Sequence, residues 1–131
     1  MSNLLLDTNA YSRLLKGDEK ARRAIQSSET IYFSVIVIGE LLAGFMGGTR
    51  ETENKEMLFR FLGKPSVTVL QSSLETAEHY AEVKNCLKKA GTPIPINDVW
   101  IAAHTMESGA SLITFDKHFD SVADLKIWRE V

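Results

Sequence analysis

Apolar residues along this chain alternate between short solid runs and stripes of helical spacing. Leu4-Leu5-Leu6 is too short for a helix and reads as a buried strand. Tyr11, Leu14 and Leu15 then recur at helical spacing, and Gly17 closes that helix. Residues 19–26 are charged and amphipathic, which predicts a surface helix. Ile31-Tyr32-Phe33-Ser34 is β-branched and aromatic, a second strand. Ser34 can cap a helix carrying Val37, Ile38, Leu41, Leu42 and Phe45, stopped by Gly47-Gly48.

The second half repeats the alternation. Residues 52–62 predict a helix with Met57, Leu58, Phe61 and Leu62 as its stripe, and Val67-Thr68-Val69-Leu70 a third strand. Residues 73–90 predict a long helix ending at Gly91, with Lys84, Lys88 and Lys89 suiting the dipole at its end. Thr92 to Asn97 is a proline-stiffened loop. A helix over 98–108 follows, with Val99, Ala102, Ala103 and Met106 facing inward. Ser111 to Thr114 is a fourth strand, and Lys126-Ile127-Trp128 a fifth at the edge. Strands alternating with helices imply right-handed crossovers. The expected fold is α/β: a three-layer α/β/α sandwich around a mostly parallel sheet of about five strands. The 131 residues show no repeat or linker and suit one domain, residues 1–131.

Composition narrows the setting. Hydrophobic residues are 44% of the chain and charged residues 24%, ordinary for a packed protein. The one cysteine, Cys86, excludes an intrachain disulfide, suits a reducing cytoplasm, and is expected to be a small core residue. No apolar run approaches the ~20 residues of a membrane span, and no secretory leader pattern is present, so a cytoplasmic location is expected. The net charge of −2 does not advertise nucleic-acid binding. An acidic cluster would, however, hide a basic rim in that average.

Four carboxylates stand out by position. Ligands of parallel sheets bind beyond the carboxyl ends of the strands, where strand order reverses. Asp7 ends the first strand, and Asp116 lies two residues past the fourth in LITFDKHFD. Asp98 opens the helix leading into that strand, in PINDVWIAA. Glu40 is the one charge between Tyr32 and Met46. Each has a plainer reading: Asp7 as a helix cap, Asp98 as a partner of a helix dipole, Asp116 as a turn residue, Glu40 at a solvent edge. Together they are harder to dismiss. Two carboxylates ~4 Å apart repel by about 4 kcal/mol at an effective dielectric near 20. Only Lys117 offers a lysine or arginine beside any of them in sequence. Oxygen-only ligands favour magnesium or manganese. His79 and His104 stand alone on helices, and His118 reads as a surface residue or a supporting neighbour of the acids rather than a metal ligand.

LLLDTN, SVIVIGELLAG, NDVWIAA and LITFDKHF occur in the order of PIN-domain nucleases. The chain resembles most the toxin component of VapBC-type toxin–antitoxin pairs, over nearly its whole length. That resemblance implies an α/β/α endoribonuclease dependent on Mg2+ or Mn2+, with Asp7, Glu40, Asp98 and Asp116 as its acids. Thr8, Asn9 and Thr114 match polar positions that orient ligands or hold water, and Asp120 reads as a surface turn residue. It further implies a homodimer and an antitoxin that fills a groove beside the site, here placed around Phe45-Met46 and Met57 to Leu62. The substrate class it suggests is RNA, with tRNA foremost. Arg13, Lys16, Arg50, Lys55 and Lys117 are candidate backbone contacts. Activated water would leave a 5′-phosphate and a 3′-hydroxyl.

Other classes fit less well. A haloacid-dehalogenase-like phosphatase would use Asp7 as nucleophile, but wants a second aspartate where Asn9 stands. A receiver-like signalling module needs an aspartate after the third strand, where Gln71-Ser72-Ser73 follows. A catalytically silent PIN-fold binding module stays open.

Overall fold

A computed structural model describes residues 2–129. Its elements run β1 (Asn3–Leu6), α1 (Thr8–Leu15), α2 (Glu19–Gln26), β2 (Thr30–Ser34), α3 (Val35–Met46) and α4 (Glu51–Leu62). They continue with β3 (Val67–Leu70), α5 (Leu74–Ala90), α6 (Ile96–Ser108), β4 (Ser111–Ile113) and a short 3-10 helix (Lys117–Ser121). The sheet is parallel throughout, in the order β3-β2-β1-β4. The chain therefore steps outward from β1 to β3 and then crosses back to place β4 on the other side of β1. The reversal falls between β1 and β4, and that is where a parallel sheet offers a crevice.

Local chemistry accounts for the element ends. Asp7 and Asp18 cap α1 and α2 through hydrogen bonds from Ala10 and Ala21 N–H. Ser34 caps α3, and Ser73 and Thr76 form a reciprocal capping box on α5. Gly91 ends α5 at φ 71°, a left-handed conformation that glycine adopts without strain. Leu4, Leu5 and Leu6 are fully buried, as expected of a central strand covered on both faces. Tyr11, Phe33 and Phe61 join α1, β2 and α4 in an edge-to-face trio with ring centroids 5.5, 5.6 and 5.8 Å apart.

Three expectations need correction. The fifth strand is absent among the described residues: Lys126 to Trp128 makes one parallel bridge, Leu112 with Ile127. Leu112 N–H donates to Lys126 O at 2.8 Å and Trp128 N–H donates to Leu112 O at 2.9 Å. β4 has only three residues, and backbone alternation turns only Leu112 outward, so no longer ladder can form. Helix α6 begins at Ile96, two residues early, because Pro95 at its N-cap has no N–H to satisfy. Cys86 is exposed rather than in the core, since α5 buries Thr76, Val83 and Leu87 instead.

The aromatic trio gives a test of the packing. Phe33→Ala is expected to cost about 3–5 kcal/mol of stability in a denaturant titration. A loss below about 1 kcal/mol would show that the three rings do not hold the layers together.

Candidate active site

The end of β1 places Asp7 at the bottom of the crevice, 3% exposed. Its Oδ1 accepts Ala10 N–H at 2.8 Å, and its Oδ2 accepts the Thr114 hydroxyl. The same Thr114 oxygen accepts Asp116 N–H at 3.0 Å. One threonine just past β4 thus links the first and last acids of the cluster. Asp116 in turn caps the 3-10 helix, its Oδ1 accepting His118 N–H at 2.9 Å.

Glu40 reaches the same crevice from α3, which packs against α1 and α6. Its two oxygens accept the Thr8 hydroxyl at 2.6 Å and the Asn97 amide at 3.3 Å. A carboxylate in an apolar helix needs such partners. Asp98 stands in the first turn of α6, half-buried, and its Oδ2 lies 3.4 Å from His118 Nδ1. Asp7, Thr8, Asn9, Glu40, Asp98 and Asp116, with His118, line one cleft of about 270 Å³. The four expected acids are therefore brought together, with Thr8, Asn9 and Thr114 in place beside them.

No lysine or arginine lines this cleft among the described residues. Burial, foremost, raises the Asp7 carboxyl to about 6; Asp98 and Asp116 add to the rise, while the Thr114 and Ala10 hydrogen bonds oppose it. Burial also pushes Asp98 up, aided by Asp116 and Glu40 and opposed by His118. The acids thus repel with no fixed cation between them. The donors are carboxylate oxygens held by hydroxyls, amides and backbone N–H groups, a set that fits a hard divalent ion such as Mg2+ or Mn2+.

Asp120 lies outside, ion-paired with Arg129 at 3.3 Å. Sequence reading passed over Asn97, whose signal was its place directly before Asp98 in the helix-opening PIND. It read His118 as a surface residue or a supporting neighbour of the acids, and the ring is both exposed and set against two of them. Of the candidate cations, Arg50 pairs with Glu53 at 2.7 Å, and Arg13 lies over the Phe115 ring at 4.2 Å and 3.8 Å from Asp18. Lys16, Lys55 and Lys117 are exposed.

The comparisons with known proteins agree with this geometry. The PIN domain family matches residues 4–125. The chain belongs to the PIN-domain family. It is 35% identical to Ribonuclease VapC1 of Haemophilus influenzae (strain R2866) over 133 aligned residues, covering 96% of each chain. It superposes on a chain of VapBC-1 from nontypeable Haemophilus influenzae with a TM-score of 0.82 at 32% identity, covering 96% of each. It also matches a chain of DNA-bound VapBC from Salmonella typhimurium with a TM-score of 0.85, at 24% identity and 98% coverage of each, a likeness of fold. The Haemophilus relative is named a ribonuclease, and it shares its family with this chain.

The raised Asp7 carboxyl predicts a pH dependence in chelator. A folded-state value near 6 above an unfolded value near 3.8 contributes stability below pH ~4 that is lost as pH rises through ~6. The loss is about 3 kcal/mol at neutral pH. Asparagine caps helices well, so Asp7→Asn keeps the cap and drops the titration. The stability difference between variant and parent is expected to grow in the variant's favour from pH 4 to pH 7. A difference that stays flat across that range would contradict the strained carboxylate.

Proposed function

We propose that residues 1–131 form one nuclease domain, a metal-dependent endoribonuclease acting as the toxin of a toxin–antitoxin pair in the cytoplasm. The observation that carries this reading is the convergence of Asp7, Glu40, Asp98 and Asp116 on one cleft that no lysine or arginine among the described residues lines. Asp7, Asp98 and Asp116 would hold Mg2+ or Mn2+. Glu40, steadied by Thr8 and Asn97, orients a water in line with a phosphodiester or adds a further oxygen ligand. A divalent cation at such a site lowers the pKa of water and neutralises charge on phosphate oxygens. Thr114 keeps Asp7 and Asp116 in register, so the chain's own task is positioning.

The substrate class we favour is tRNA, whose cleavage would inhibit translation. Exposed Lys117, next to Asp116, is the cation best placed to meet a backbone phosphate; Arg50 is already paired. Relatives are named in VapBC complexes, and an antitoxin segment is the partner proposed here, with a homodimer of this chain. The expected groove divides. Leu58 and Phe61 belong to the core, while Met46 at 70% exposure, Met57 and Phe59 face outward and are the apolar surface available to a partner. Among the described residues no helix is long and apolar enough to cross a membrane. The phosphatase reading is weakened because both Asp7 oxygens accept hydrogen bonds, which blunts a nucleophile.

The test is incubation with a mixed tRNA pool in Mg2+ or Mn2+, with and without EDTA, beside Asp7→Asn. Discrete fragments with 5′-phosphate and 3′-hydroxyl ends that need metal and vanish in the variant are expected. Fragments that survive in the variant, or 2′,3′-cyclic phosphate ends, would contradict the mechanism. A phosphoenzyme trapped on Asp7 would favour the phosphatase.

A further inference from the structure

Among the described residues lining the cleft, His118 alone offers an imidazole nitrogen. His118 Nδ1 lies 3.1 Å from Asp116 Oδ1 and 3.4 Å from Asp98 Oδ2. One ligand atom from each of the three residues falls within 4.8 Å of the others. Adjacent ligands of an octahedral ion with ~2.1 Å bonds stand about 3 Å apart. The imidazole nitrogen already stands near that spacing from each of the two carboxylate oxygens.

The backbone that carries the ring is held in place. His118 N–H donates to Asp116 Oδ1 at 2.9 Å, so the residue is fixed in the turn that Asp116 caps. The next residue, Phe119, is buried and anchors that turn to the core. Lysine or arginine in the same place would only neutralise the acids. A neutral imidazole carries a lone pair and can bond a metal through Nδ1 with its proton on Nε2.

We propose that His118 is a nitrogen ligand to the divalent cation held by Asp98 and Asp116, so that this site prefers a transition ion such as Mn2+ over Mg2+. The inference rests on the metal-dependent reading above. Its physical basis is ligand tolerance: Mg2+ demands oxygen ligands in a strict octahedron and dehydrates reluctantly, whereas Mn2+, which also favours oxygen, accepts one imidazole among carboxylates more readily. The all-oxygen set expected from the sequence would not separate the two ions in this way.

The experiment is pulsed electron paramagnetic resonance of the Mn2+-loaded full chain, with calorimetric titrations of Mn2+ and Mg2+, for the parent and His118→Gln. The His118 side chain is 52% exposed, so the variant should fold, and thermal unfolding in EDTA checks that it does. His79 and His104 lie outside the cleft, so a directly bound nitrogen reports on His118. The parent is expected to show modulation from a coordinated 14N that His118→Gln loses. The variant should weaken Mn2+ about tenfold or more, and Mg2+ much less. Mn2+ bound without nitrogen modulation, or with modulation that persists in the variant, would overturn the assignment. So would tighter Mn2+ binding in the variant, which would mean that the imidazole competes with the cation. Failure of Mn2+ to bind, or binding unchanged in Asp98→Asn with Asp116→Asn, would instead overturn the metal-dependent reading itself.

Discussion

The Thr114 hydroxyl bridges the two ends of the chain: it donates to Asp7, 107 positions away at the end of β1, and accepts from Asp116 N–H beyond β4. The rest of the cleft depends on that junction. β1 and β4 are neighbours because the chain, after stepping outward to β3, crosses back through α5 and α6. The crossover helix α6 then brings Asp98 alongside, and α3, packed on both α1 and α6, brings Glu40. Topology sets where the acids meet, and a few hydroxyls and amides set how.

This arrangement runs against stability. Burial and mutual repulsion push Asp7 and Asp98 up, so the folded chain holds their charged forms at a cost. The core must offset that cost. Leu4, Leu5 and Leu6 are fully buried immediately before Asp7, and the Tyr11, Phe33 and Phe61 rings lock the helices around it. A site made only for stability would place lysine or arginine among the acids. Here, among the described residues, the basic side chain in contact with them is His118, which can offer a lone pair.

Much of this was legible in the sequence, for local reasons. Solid apolar runs marked β1 to β3 within a residue of their observed ends, and Ser34, Ser73, Gly17 and Gly91 marked helix ends through capping chemistry. The four acids were legible because each stands at an element end or alone in an apolar stretch. What failed was non-local. The edge segment around Ile127 looks like a strand, but three-residue β4 presents only Leu112 to it. Cys86 is small and on a helix, yet which face of α5 turns inward is decided by its packing on α6. Asn97 and His118 carry no pattern of their own. They acquire a role only when α6 and the turn after β4 fold against α3 and β1.

The central claim is that the fold gathers these carboxylates for a divalent cation. The most direct measurement is thermal unfolding of the parent and Asp98→Asn, each in EDTA and in Mn2+. In EDTA the variant should be at least as stable as the parent, because repulsion falls; in Mn2+ the parent should gain several degrees and the variant clearly less. A parent indifferent to Mn2+, or a variant strongly destabilised in EDTA, would mean that Asp98 serves the start of α6 and not a metal.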